Sequence, residues 1–211
     1  MKWPNACGRA ALMSPEKDRN MTNKSAASDK ADATLIQPDR FAALSTFALG
    51  WALAQTPFAH EFDPMQTRKF GIKQADFPRV LVADLDEAGA TTLYRETCWD
   101  ALGCEKLPDV LAATLFGLAI FTGPLVATRI LGMVMAEDCE AALPKSLFAS
   151  AMLLSLEDQQ ALSLEMLALA LRRFAFTADA ANQMVDWAKA VIGLDRFIQA
   201  LNAGQTDQPV A

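Results

Sequence analysis

The sequence predicts an all-α fold. Two observations carry that expectation. From Phe41 onward apolar residues recur at three- and four-residue steps, and nowhere does a β-branched run reach strand length. A third bounds it: 211 residues, 52% of them apolar and 21% charged, supply enough apolar surface for a filled core and exclude a chain disordered throughout.

Residues 1–40 are polar and mixed in charge, with no apolar period, and read as a flexible tail. They make a poor signal peptide, because Pro4, Gly8 and Arg9 interrupt the short apolar stretch after Lys2. A cytoplasmic location is therefore the default expectation, with Met1, Met13 or Met21 as the start. Phe41, Leu44, Phe47, Ala48 and Trp51 then mark one face of a first helix ending near Ala54. Residues 55–80 hold Pro57, Pro64, Gly71 and Pro78 and read as an irregular segment. Asp86-Glu87 opens the next helix, where acidic residues suit the positive end of the helix dipole, and Ala90, Leu93, Tyr94 and Trp99 point inward from it. Leu107-Pro108 starts another helix. Helices over 147–156, 158–176 and 179–201 complete a helical C-terminal half, with Arg172-Arg173 suited to a helix C-terminus. The expected organisation is a tail over 1–40, a helical lobe over 41–136 and a second helical part over 137–205 packed on it.

Charge and cysteine usage exclude several classes. A net charge of −6 argues against a nucleic-acid coat, which needs clustered Lys and Arg. Cys7, Cys98, Cys104 and Cys139 form no Cys-x-x-Cys pair and His60 is the single histidine, so neither a zinc site nor another metal or cofactor is expected. Scattered thiols of this kind fit a reducing compartment. Val110–Thr128 carries no charge and approaches the ~20 apolar residues that cross a bilayer. Gly123-Pro124 interrupts it, threonines dilute it and no basic loop flanks it, so two buried helices meeting at Gly123 are favoured over membrane contact.

Four motifs in consistent order carry a resemblance. Tyr94-Arg95-Glu96-Thr97-Cys98-Trp99-Asp100, followed by Leu107-Pro108, is similar to the "Tyr-Arg-x-x-Tyr-Trp-Asp … Leu-Pro" signature of glycoside hydrolase family 108. Upstream, the run from Asp63-Pro64 through Thr67-Arg68-Lys69-Phe70-Gly71-Ile72 resembles that family's "Asp-Pro-Gly-Gly-x-Thr-Lys-Tyr-Gly-Ile". Leu115-Phe116, then Gly123-Pro124, resembles its "Leu-Phe-Asp-x-x-Val-Asn-x-Gly-Pro", and Leu143-Pro144-Lys145-Ser146-Leu147 its "Gly-Pro-Lys-Thr-Leu". The family comprises peptidoglycan-cleaving N-acetylmuramidases of bacteria and phages, also called secretion activators. The resemblance implies a lysozyme-like helical domain with a peptidoglycan-binding-like C-terminal half. It also implies delivery to the periplasm through a holin or a dedicated route.

The departures matter for activity. The family's catalytic Glu lies in "Glu-Gly-Gly-Tyr" at the end of the first helix. Counting back from Asp63 lands on Ala54, or on Gln55 when one gap aligns Phe58 with the aromatic residue. Neither can protonate a departing sugar oxygen. The family's Asp after Phe corresponds to Gly117, its Asn before Gly-Pro to Phe121, and its Gly-Gly to Met65-Gln66. The resemblance thus implies a catalytically degenerate muramidase relative acting as a scaffold, with a protein or peptidoglycan as partner. An active hydrolase using Glu61 as a displaced acid is the alternative, and a membrane subunit anchored through 110–128 is a third reading. Tyr94 and Trp99 are the candidate sugar-binding aromatics, although their helical spacing is more often that of core residues.

Overall fold

The computed structural model describes residues 39–59, 63–137, 139, 143–176 and 180–206. The tail expected over 1–40 therefore lies outside the described residues apart from Asp39 and Arg40, which already belong to the first helix and its cap. The fold is all-α, as the sequence predicts.

Helix α1 spans Arg40–Leu53. Asp39 caps it, its carboxylate accepting from the Phe41 amide, and pairs with Arg95 at 2.6 Å. Phe41, Leu44, Ala48, Leu49 and Ala52 are buried, while Phe47 and Trp51 flank the stripe half-buried. The irregular segment that follows holds one feature the sequence did not predict, a minimal hairpin of β1 (Arg68–Lys69) and β2 (Ile72–Lys73). Its register pairs Arg68 with Lys73 and Lys69 with Ile72, and Phe58 bridges Arg68 on the outer side. Phe70 and Gly71 make the two-residue turn, both at positive φ (53° and 76°), the conformation that the strand twist selects for such turns. For Phe70 that backbone is costly. The Tyr94 hydroxyl, 2.8 Å from the Phe70 carbonyl, holds it in place. Beyond the hairpin, the Gln74 side chain substitutes for secondary structure. Its amide donates to the carbonyls of Phe77 and Val80 and its oxygen accepts from the Val82 amide.

Helix α2 (Glu87–Tyr94) is capped by Asp86, which accepts from the Gly89 amide at 2.7 Å. It widens into a π-helical turn over Arg95–Asp100. In α register Tyr94 and Trp99 would point about 140° apart. The wider turn, with its i→i+5 bonding, turns Trp99 inward beside Tyr94 and Cys98. Chain reversal at Gly103 and a single 3-10 turn (Cys104–Lys106) lead to Pro108 and helix α3 (Asp109–Thr122).

Helix α3 is the centre of the molecule. Nearly every residue from Val110 to Phe121 is buried, as befits a helix that is apolar all round. Helices α1, α4 (Pro124–Val134), α6 (Leu156–Phe174) and α7 (Ala180–Thr206) pack on it. Its interior hydroxyl is satisfied: Thr114 bonds to the Val110 carbonyl and to Ser163 of α6, each at 2.7 Å. The break after Thr122 falls where the sequence places it. Gly123 sits at φ 89°, open to glycine but strained for other residues, and Pro124 begins α4 with no amide to lose. Residues 110–128 are thus divided between two helices. Among the described residues no helix is long and apolar enough to cross a membrane.

One further correction concerns the next helices. Instead of a single helix over 147–156, α5 covers Lys145–Ala151 and stops. Leu153 is 87% exposed, and Ser155 caps α6, accepting from the Asp158 amide and donating to its carboxylate.

Candidate cleft at the end of the first helix

A cleft of about 440 Å³ opens where α1 ends. Trp51 and Gln55 border it from the last turn of α1 and the residues just beyond, and Arg68, Gly71 and Lys73 come from the hairpin. The far end of α3 contributes Ile120 and Phe121, and α7 contributes Asp186 and Trp187. Its apolar wall is a set of aromatic contacts. Trp51 meets Phe121 edge-on at 4.7 Å, Trp187 lies 6.1 Å from both, and Phe174 stacks on Trp187 at 3.8 Å. Such offset and edge-to-face packing fixes the indoles without self-burial of the whole wall.

The two sequence candidates for the family's acid part company here. Ala54 is the exposed C-terminal cap of α1, whereas Gln55 is half-buried, lines the cleft and approaches the hairpin turn at Gly71. The Gln55 amide nitrogen donates to the Trp51 carbonyl at 3.3 Å. Of the accompanying departures, Phe121 does face the cleft. Gly117 does not: it packs beneath Leu194, whose methyl would lie 2.5 Å from any Cβ placed there. Glu61 lies outside the described residues.

Tyr94 and Trp99 belong to the core in this structure. Trp99 is 1% exposed and edge-packed against Phe41 and Phe116, with its indole N–H donated to Glu105 at 3.2 Å. Burial, with Cys98 nearby, pushes the Tyr94 hydroxyl up, so it stays protonated as the donor that pins the hairpin. Neither is among the residues that line the cleft. The residues sequence reasoning passed over are Arg68, Lys73, Asp186 and Trp187. For the first two the sequence carries no hairpin signal, since Phe70-Gly71 is not one of the dipeptides that favour a two-residue turn. Nothing local marks Asp186 and Trp187, which reach the cleft only because α7 packs against α1 and α3.

Chemically the lining is short of acids. Glycoside hydrolysis uses two carboxyl groups across the scissile bond. Asp186 is the one carboxylate among the described lining residues, exposed and 3.9 Å from Lys189 one turn further on. No metal-holding group of His, Cys, Asp and Glu occurs among the described residues.

Fold and cleft together define an all-α domain with an aromatic-walled cleft at the end of its first helix. Among solved structures the chain is similar to that of Brucella abortus SagA, with a TM-score of 0.61 at 20% identity, covering 74% of this chain and 95% of that one. The likeness is one of fold. No protein-family model matches the chain, and no curated protein does.

Proposed function

We propose that the protein is a lysozyme-like relative of the family 108 muramidases that binds without cleaving, a scaffold whose cleft engages peptidoglycan or a protein partner. Gln55 carries the reading. It stands in the cleft at the end of α1 where the resemblance calls for a carboxylic acid, and an amide has no proton to give a departing oxygen. Phe121 supports it by presenting a phenyl ring where the family has an amide. The fold shared with SagA agrees with the lysozyme-like part of the reading.

The test is release of reducing ends from purified sacculi. Loss of a general acid removes ~10²–10⁴-fold of rate, so the protein should release nothing above buffer while still co-sedimenting with sacculi or retaining a protein partner. Hydrolysis that vanishes in Glu61→Gln would establish the displaced-acid alternative and overturn the proposal. Gln55→Glu should not create activity. Arg68 and Lys73 line the same cleft and would favour the ionised form of a carboxylate there, the opposite of what a general acid needs.

A further inference from the structure

Among the described residues the cations of the cleft outnumber its carboxylates. Arg68 and Lys73 are direct cross-strand partners, so their side chains leave the same face of the hairpin, and both line the cleft. Like charges placed opposite each other cost stability. The third cation of the hairpin is used otherwise: Lys69, opposite Ile72, donates to the Ala83 carbonyl at 3.1 Å and lies over the Phe70 ring. Arg68 and Lys73, by contrast, make no ion pair among the described residues. Asp186 faces them across the cleft, and its neighbour is Lys189. Two cations against one carboxylate make this a positive spot on a chain whose net charge is −6. Gln55 adds an amide with one N–H on the Trp51 carbonyl and a second to give.

We propose that the cleft is a carboxylate site. Arg68 and Lys73 hold the carboxylate, Gln55 donates to it, and the wall of Trp51, Phe121 and Trp187 takes the ring that bears it. The inference rests on reading the cleft as a binding site, and it names the ligand chemistry: a carboxylate carried on a sugar or aromatic ring. An Arg fork matches a carboxylate in two parallel hydrogen bonds. An indole face accepts the apolar side of either ring. The volume of about 440 Å³ is in the range of small-ligand pockets.

The probes are N-acetylmuramic acid against N-acetylglucosamine, which lacks the lactyl carboxylate, and N-acetyltryptophan against its amide. Binding is followed by the intrinsic fluorescence of the protein and by calorimetry. At least one acid should bind at least tenfold tighter than its neutral counterpart and weaken as salt is raised. Which acid binds identifies the source of the carboxylate. Arg68→Gln with Lys73→Gln should lower that affinity by at least tenfold. Both side chains are exposed and repel each other, so the variant should unfold at or above the wild-type temperature. The salt dependence of the unaltered protein tests the same point if it does not. Equal binding of acid and neutral probe, no saturable binding of either acid, or acid binding indifferent to both salt and the double substitution would overturn the proposal. The sacculus assay on the same preparation separates the two ideas. Hydrolysis alongside carboxylate binding refutes only the non-cleaving reading, and absence of both refutes only the carboxylate site.

Discussion

Arg40 joins the start of α1 to the turn that launches α3. Its guanidinium donates twice to Asp109, at 2.9 and 2.7 Å, and to the carbonyls of Cys104, Glu105 and Leu107. They lie in the turn that leads into α3, and the guanidinium lies over the Trp99 ring. A planar fork is needed to reach both the carboxylate and the carbonyls, so lysine is no substitute. Arg40→Met should lower unfolding free energy by about 2 kcal/mol, and Arg40→Lys by more than half of that. Urea denaturation measures both, and an Arg40→Lys protein as stable as the wild type would contradict the assignment. The same logic explains Tyr94. Its hydroxyl carries no chemistry of its own, yet it keeps Phe70 at positive φ and so aims Arg68 and Lys73.

At the scale of elements, the approach of α7 to α3 is set by a missing side chain. Gly117 lies mid-helix, where alanine would ordinarily be better by up to ~1 kcal/mol. A Cβ there would meet Leu194 at 2.5 Å, however, and that neighbour is itself buried. Overpacking of this kind costs about 1–3 kcal/mol, so the net change for Gly117→Ala should be destabilising. In a Leu194→Ala background the same substitution should become neutral or favourable, because the space it needs has been vacated. Thermal unfolding of the four proteins gives the coupling directly, and simple additivity would show that the contact is not the cause. The break at Gly123-Pro124 belongs to this scale too. It turns one long apolar stretch into two helices that pack on each other.

For the molecule as a whole, the buried thiols tie stability to alkaline pH. Burial pushes Cys98 up to about 11 from an ordinary 9.0, only partly offset by its bond with Thr97. Burial likewise pushes Cys104 up, with Cys98 adding to it and Arg40 opposing it. The sign follows from proton counting. Below pH 9.0 the thiol is protonated folded or unfolded, and the contribution is intact. Above it the unfolded chain gives up the proton first, binds fewer than the native state, and is favoured. The urea midpoint should therefore hold level from pH 7 to about 8.5 and fall as pH rises from about 9 to 11, the window set by Cys98. Cys98→Ala should flatten part of that fall. A midpoint that climbs through this range would contradict the burial of these thiols.

What the sequence determined by itself was everything encoded locally: the all-α class, the face of α1 led by Phe41 and Leu44, the acidic start of α2, and the break at Gly123-Pro124. Helical period, helix dipoles and the missing proline amide act within a few residues, so they are legible without a partner. The cleft was half legible. Gln55 could be placed at the end of α1, but whether it or Ala54 faced the site depended on where the hairpin came to rest. Trp99 and Tyr94 read as core more readily than as a sugar platform, and their i to i+5 spacing acquires a direction only once the helix widens into a π turn around the core. The pairing of Arg68 with Lys73 and the meeting of Trp51 with Trp187 were decided by tertiary structure alone. A cross-strand register and the packing of α7 on α1 are contacts between residues far apart or turned back on each other, and no period along the chain records them.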